Sequence, residues 1–421
     1  MPISIKQRRR QKVSAPLSFY IHIPYCVKRC GYCDFNTYTP AELQITSELS
    51  EISRSYIDLL IDEAKLARNQ APQAGAIPTI FFGGGTPTLM EPSDLARILQ
   101  ELKASFGFAP DIEITIEANP DTLSLEKLSQ LRATGINRIS VGMQSTSPHV
   151  LKVLDRTHNP ANVGSAVKWA REAGFEHVSV DLIYGTPGES LADWENTLRE
   201  AIALHIDHIS AYALIVEAGT KLAAQVKRGE VEVPDDDLMA DKYLLADQLF
   251  SAAGFEWYEL SNWAKPEGEC RHNIAYWQGR NWWGLGPGAH SHIDGKRWWN
   301  VKHPATYRDR LLAGEFPAAD SEILTATQIE SERVMLEIRL RSGIARSSLD
   351  AAAIDRLQSY VAGAQLDAQS WADGLVVLTQ TGRLIADRIV REILIIKVLM
   401  RLRGNNFVFD KGLNILRPSR K

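Results

Sequence analysis

YCVKRCGYCDF, Tyr25 to Phe35, sets Cys26, Cys30 and Cys33 in a CxxxCxxC spacing directly behind the apolar run Phe19 to Pro24. The run reads as a buried strand, and the loop leaving it can fold three thiolates around one point. Thiolates are the ligands that iron-sulfur clusters and zinc prefer. Three ligands are one too few for either metal, so three readings stand side by side. A [4Fe-4S] cluster would take one cysteine per iron and leave its fourth iron open to a small molecule. A structural zinc would need a distant fourth ligand, such as Cys270 or a histidine. Reduced, packed thiols are the third reading, against which stands the crowding of three cysteines into eight residues.

The bulk numbers narrow the setting. Three of the four cysteines are clustered, which argues against a disulfide framework and for a reducing, cytoplasmic location. A length of 421 residues exceeds one ordinary core and implies two or three domains. Hydrophobic content of 45% with 23% charged residues is that of a soluble globular protein. The net charge of -4 lacks the basic bias of a nucleic-acid binder, so no nucleic-acid partner is expected. The basic run Lys6 to Lys12 precedes no apolar stretch; it reads as a solvated arm and not as a secretory signal. No apolar stretch is long enough to span a bilayer.

Working outward from the cysteines, short apolar runs alternate with amphipathic stretches up to about residue 215. Strands are expected near 18–24, 77–82, 111–117, 136–142, 176–183 and 207–214. Helices fall near 46–69, 92–106, 124–133, 147–172 (interrupted at Pro160) and 190–203. Six strands alternating with helices imply parallel βαβ units wrapped into an open or partial barrel. In such sheets function gathers in the loops after the strands. The polar residues obey that rule. Gly83-Gly84-Gly85-Thr86-Pro87 follows the second strand, Glu117-Ala118-Asn119-Pro120 closes the third, and Gly142-Met143-Gln144-Ser145 ends the fourth. Asp181 ends the fifth, with Tyr184-Gly185-Thr186-Pro187-Gly188 behind it. Each alone suits a turn or cap as well as a ligand; together they ring one mouth.

The segments YIHIPYCVKRCGYCDF, FFGGGTPT, IEANPD, RISVGMQS and VDLIYGTPGES resemble the radical S-adenosylmethionine superfamily. More narrowly, they are similar to the anaerobic coproporphyrinogen III oxidase family and its HemW (haem chaperone) branch, in order from about residue 17 to 390. The resemblance implies an α/β fold, a partial (β/α)6 radical-SAM barrel with a C-terminal, mostly helical, winged-helix-like domain. It implies Cys26, Cys30 and Cys33 as ligands of a [4Fe-4S] cluster, with S-adenosyl-L-methionine chelating the open iron. Tyr20, Gly84 and Glu117 fall on positions that contact that molecule. Gly85, Thr86, Gln144, Arg156 and Asp181 match positions assigned to a second S-adenosylmethionine, and Tyr32 corresponds to an aromatic beside the cofactor. An electron donor for the cluster is implied as a partner.

Phe35 departs from the oxidases, which carry a fourth cysteine there in a CxxxCxxCxC pattern. Phenylalanine cannot act as a polar or redox partner, so decarboxylation of coproporphyrinogen is put in doubt, and no catalytic residue is assigned. The departure fits the HemW branch, which implies haem as bound cargo and haem-accepting proteins as partners; an oxygen-independent coproporphyrinogen III oxidase is the alternative. Residues 255 to 303 hold seven of the ten tryptophans. Within them Cys270-Arg271-His272-Asn273 with Tyr276-Trp277 looks like the HNxxYW signature of that branch, which makes His272 the haem candidate. Imidazole is a common axial ligand and aromatic walls suit a porphyrin face, although aromatic stretches more often pack a core. His290 and His292 are second candidates, while His22 and Cys270 read as packed residues.

The expected organisation is a disordered basic arm over 1–16, the radical SAM barrel over 17–220 and an aromatic-rich extension with the haem candidate over 221–315. A helical domain follows over 316–395, then a basic tail over 396–421. Helices are expected at 235–253, 304–313, 325–341, 345–360 and 381–400, with a short hairpin at Leu375 to Leu378. The tail suits peripheral contact with an anionic membrane surface; an extension without a role is the other reading.

Overall fold

Period-two alternation decides how the barrel is built. In a strand, successive side chains point to opposite faces, and here one face is aliphatic and the other mostly polar. Phe19, Ile21, Ile80, Phe82, Ile116, Ile139, Val141, Val178, Val180 and Ile209 are fully buried in one core with Ile57, Leu60, Ile98, Leu102, Leu128 and Leu198 of the surrounding helices. Each such side chain contributes about 1.5–3 kcal/mol through removal from water. Between them on the same strands stand Tyr20, His22, Thr115, Glu117, Ser140, Ser179, Asp181 and Ser210, which face the interior.

The computed structural model describes residues 16–44, 49–399, 407–410 and 415–418. Residues 1–15 of the expected arm and most of the 396–421 tail lie outside the described residues. Strands β1 (Ser18–Ile23), β2 (Ile77–Gly84), β3 (Phe108–Ala118), β4 (Arg138–Gln144), β5 (His177–Tyr184) and β6 (His208–Ala213) lie side by side in chain order, all parallel. Helices α1 (Leu49–Gln70), α2 (Pro92–Phe106), α3 (Leu125–Ala133), α4 (Pro148–Val153) with α5 (Ala161–Glu172), and α6 (Leu191–Ala203) fill the crossovers. The expected strands and helices therefore sit within a few residues of their observed places. α2 shows why its bounds are sharp: Pro92 opens it, where the missing N–H costs nothing, and Gly107 at φ +71° ends it.

Downstream come α7 (Lys221–Lys227), α8 (Asp236–Ala252), α9 (Arg271–Trp277) and α10 (Pro304–Leu312), with strands β7 (Glu256–Glu259), β8 (Asn262–Ala264), β9 (Trp282–Leu285), β10 (His290–Ile293), β11 (Lys296–Asn300) and β12 (Ala318–Ile323). These strands join the same sheet at both edges. β9 pairs in parallel with β1 and leads to β10, β11 and β12, whereas β8 pairs antiparallel with β6 and carries β7. The twelve strands run from β12 to β7, so the hydrogen-bonded order has two ends, as a partial barrel requires.

The remaining elements gather around a second core of Val334, Ile338, Leu357, Val376 and Ile389. They are α11 (Ala326–Glu337), α12 (Ala351–Ala362), α13 (Ala368–Ala372), α14 (Gln380–Leu384) and α15 (Ala386–Leu399), with a hairpin of β13 (Ile344–Ala345) and β14 (Leu375–Val376). Arg383 ties this part to α8 through two bonds to Asp247, at 2.6 and 2.8 Å. Among the described residues no helix is long and apolar enough to cross a membrane.

Candidate cofactor site

The loop behind β1 is closed on itself and pinned from below. Tyr38 N–H donates to Pro24 O at 2.7 Å and Cys26 N–H to Tyr38 O at 3.0 Å, which ties off residues 24 to 38. Gly31 lies between α4 and α7, giving its N–H to Leu154 O and accepting Leu222 N–H. Lys28 and Lys221 both reach Asp155, at 2.8 and 2.7 Å. Asp155 itself takes a positive φ of 57°, and the interruption expected at Pro160 within 147–172 is the break between α4 and α5.

None of the four cysteines is paired in a disulfide. Burial pushes the Cys26 thiol up, and pushes Cys33 up to about 11, with further upward pressure from Cys30 on both. Thiolates here need a positive charge that the protein supplies only in part. Among the described residues no three histidine, cysteine or acidic side chains converge as one metal ion demands. A cube with one iron per cysteine spreads its ligands more widely than one ion does, so the donor set fits a [4Fe-4S] group. Cys270 cannot close a zinc site with the trio, since its Sγ lies 3.6 Å from Glu113 Oε1 in a different layer of the barrel.

The glycine loop after β2 packs directly under the cysteines. Gly85 N–H donates to Ile23 O at 2.7 Å and Thr86 N–H to Tyr25 O at 2.8 Å. A methyl group on Gly85 would sit 2.4 Å from Tyr25 O and 3.0 Å from Cys26 Sγ, so only glycine fits. Thr86 Oγ1 lies 3.9 Å from Cys26 Sγ. Arg156, in the turn after α4, donates through Nη1 to Cys30 Sγ at 3.5 Å and through Nη2 to Gly142 O at 3.0 Å. Its Nε is buried without a partner.

Two carboxyls stand across the mouth. Glu117 accepts Gly84 N–H at 3.1 Å, and burial, reinforced by the charge of Asp181, raises its pKa to about 8. Asp181 accepts Ser140 Oγ–H at 2.9 Å and is also raised by burial. Among the described residues no cation is paired with Glu117, which suits a ligand that brings hydroxyls and an ammonium group. Tyr20 OH bonds His22 Nδ1 at 3.0 Å, and its ring stacks on Phe81. Tyr32 sits among Cys30, Arg156 and Asp181. Gln144 holds the left-handed conformation at φ +62°, its amide beside Gly142 and Arg156. The structure thus brings Cys26, Cys30, Cys33, Tyr20, Tyr32, Gly84, Gly85, Thr86, Glu117, Gln144, Arg156 and Asp181 to one end of the sheet.

His272 lies elsewhere, sealed inside the barrel. Its Nδ1 meets Thr79 Oγ1 at 2.8 Å, its Nε2 meets Tyr276 OH at 3.0 Å, and its ring stacks on Phe81. Its backbone N–H donates to Glu113. Burial lowers its pKa to about 3, so the imidazole is neutral. α9 is therefore a plug across β2 and β3. Apolar runs in the sequence do not single out Ser140, Glu189 and Lys242, which complete the polar interior and its supports. The signal for Ser140 is the polar residue at every second position of β4, whereas Glu189 and Lys242 meet only through the packing of α8 on the turn after β5.

A profile of the Radical SAM superfamily matches residues 20–201. The chain is 46% identical over 379 residues to the heme chaperone HemW of Mycobacterium tuberculosis, covering 90% of this chain and 95% of that one. It is 35% identical over 331 residues to the heme chaperone HemW of Bacillus subtilis, covering 78% and 85%. Its fold is similar to that of coproporphyrinogen III oxidase (HemN) from Escherichia coli, with a TM-score of 0.75, 23% identity and 91% of each chain covered. Sharing nearly half its residues with such a relative over nine-tenths of its length, the chain belongs to the HemW family of the radical SAM superfamily.

Proposed function

We propose that the protein binds haem and passes it to acceptor proteins, on a barrel whose mouth holds a [4Fe-4S] cluster and S-adenosylmethionine. The observation that carries this reading is the match to proteins named heme chaperone, which runs through the barrel and the aromatic segment alike at 46% identity. Phe35 supports it. The side chain is half exposed beside the cysteines, where the oxidases keep a thiol, and it offers no proton or electron.

In this reading Cys26, Cys30 and Cys33 hold the cluster. Tyr20, Gly84 and Glu117 line the S-adenosylmethionine at its open iron; Gly85, Thr86, Gln144, Arg156 and Asp181 receive a second molecule, and Tyr32 covers the group. When bound, the pair supplies one-electron chemistry at a sulfonium, and the protein's share is positioning and exclusion of water. Gly84 and Gly85 let backbone N–H groups come close. Glu117 and Asp181 accept from hydroxyls, and Arg156 balances thiolate charge at Cys30. Ligation of haem iron through His272 requires its imidazole to give up Thr79 or Tyr276 first. An electron donor and haem-accepting proteins are the partners this reading needs.

Titrating ferric haem into anaerobically reconstituted protein should give a saturable Soret band at one haem per chain, followed by loss of that band on mixing with an apo-haemoprotein. Absence of saturable binding removes the proposal. The fold shared with coproporphyrinogen III oxidase favours decarboxylation as the second reading. An anaerobic assay with reductant and S-adenosylmethionine that yields protoporphyrinogen would establish it instead.

A further inference from the structure

We propose that His22 is a positioning residue that fixes the polarity of Tyr20, so that the phenol oxygen meets S-adenosylmethionine as a hydrogen-bond acceptor and takes its amine; this rests on the reading of the mouth given above. His22 Nε2 lies 2.9 Å from the main-chain oxygen of Asn36. A carbonyl oxygen only accepts, so the hydrogen of the neutral imidazole stands on Nε2. Burial lowers the pKa of the ring to about 4, although the Asn36 bond pulls the other way, and the ring is neutral near pH 7. Nδ1 is then a bare acceptor. Tyr20 OH lies 3.0 Å from it and donates its one hydrogen there. Toward anything else the phenol oxygen turns only lone pairs.

Packing holds both rings in this arrangement. Tyr20 stacks on Phe81 with centroids 6.3 Å apart, and a methyl group on Gly83 would lie 3.0 Å from Tyr20 Cε2. Gly84 covers the imidazole so closely that a methyl group there would lie 2.6 Å from Nδ1. The main-chain oxygen of His22 accepts Tyr56 O–H at 2.5 Å. Asn36 is tied down in turn, since its Nδ2 donates to Pro287 O at 2.9 Å and to Lys302 O at 2.8 Å. Burial first, then the charge of Glu117, raises the Tyr20 pKa, so the phenol keeps its proton. Tyr20 and Glu117 therefore both offer acceptors. At the end that meets the open iron, S-adenosylmethionine carries an amine, whose N–H groups donate, and a carboxylate, which a second acceptor repels. The amine is the group that this oxygen selects.

The test titrates S-adenosylmethionine, and analogues lacking either its amino or its carboxylate group, into anaerobically reconstituted protein and reads dissociation constants from the cluster's electron paramagnetic resonance signal. Tyr20→Phe should weaken S-adenosylmethionine and the carboxylate-free analogue alike, about tenfold or more, and leave the amine-free analogue unchanged. His22→Leu should weaken S-adenosylmethionine as Tyr20→Phe does, and the two together no further. His22→Asn, which offers Tyr20 a carbonyl oxygen in place of Nδ1, should recover most of the affinity. Nitrogen-15 resonance of histidine-labelled protein should show a neutral Nε2–H ring that disappears in His22→Leu. An Nδ1–H ring at His22, or a Tyr20→Phe variant that leaves S-adenosylmethionine binding unchanged or weakens the amine-free analogue equally, overturns the proposal while the cofactor site stands. Absence of S-adenosylmethionine binding by the wild type overturns both. The Tyr20→Phe series and the wild-type resonance decide the question even where His22 variants fail to take up iron.

Discussion

Arg156 joins the cysteine loop to the end of β4: one guanidinium nitrogen lies 3.5 Å from Cys30 Sγ and the other 3.0 Å from Gly142 O. Hydrogen bonds to cluster sulfurs and nearby positive charge favour the reduced, more negative state. Arg156→Gln should therefore lower the midpoint potential of the reconstituted cluster by tens of millivolts, on the order typical of such tuning. A redox titration followed by electron paramagnetic resonance reads the shift. An unchanged potential would show that the contact does not persist around the iron.

Gly85 sets a steric condition on the same loop. Its Cα faces Tyr25 O and Cys26 Sγ so closely that a methyl group would lie 2.4 and 3.0 Å away. Gly85→Ala should leave the helical content intact and cut iron and sulfide incorporation, because Cys26 must shift to make room. Full cluster loading in that variant contradicts the tight packing described here.

Glu117 gives a pH dependence whose sign follows from its environment. Its pKa is raised to about 8, mainly by burial. The folded protein therefore holds this proton more tightly than the unfolded chain does, and stability falls as pH rises from the ordinary carboxyl range to about 8. The lost increment is on the order of 1–3 kcal/mol, reduced by access of water to the open mouth. Thermal melts of cofactor-free protein at pH 6 and pH 9 should show a smaller drop for Glu117→Gln than for the wild type. Equal drops would place the carboxyl in a more solvated setting.

Lys242 and Glu189 form an ion pair with no solvent exposure at 2.6 Å, and Glu189 also accepts Gly185 N–H at 2.8 Å. α8 thereby holds the turn after β5. Lys242→Met leaves a buried carboxylate without its cation and should destabilise the protein by about 3–5 kcal/mol. Adding Glu189→Gln should recover part of that loss. Chemical denaturation of the two variants measures both, and a single variant as stable as the wild type would contradict the coupling.

Much of the barrel could be read from residues because its information is local. The apolar runs at β1 to β6 and the Gly, Pro and Asn punctuation behind them specify strand, turn and helix within windows of ten residues or so. Cys26, Cys30 and Cys33 are bound together by spacing alone, and Gly85 is legible as glycine that something must approach closely. Less was legible where the cause is a distant partner. His272 stood out in its motif, but Thr79, which holds it, is 193 residues away. The aromatic segment looked like one pocket, yet alternation along β11 sends Trp299 outward and Trp298 into the core, a division that depends on which strands flank it.

The sequence by itself determined the parallel strand-helix order, the three-thiolate loop and the family, since periodicity, turn residues and contiguous motifs act over short stretches of chain. Tertiary structure alone decided that residues 256–323 extend both edges of the barrel sheet and that α9 plugs its interior. It also decided that Arg156 reaches Cys30 and that His290 stays at the surface while His272 does not. Those outcomes come from pairing and burial between segments far apart in the chain, where the free energy of removing one side chain from water depends on neighbours no local pattern names.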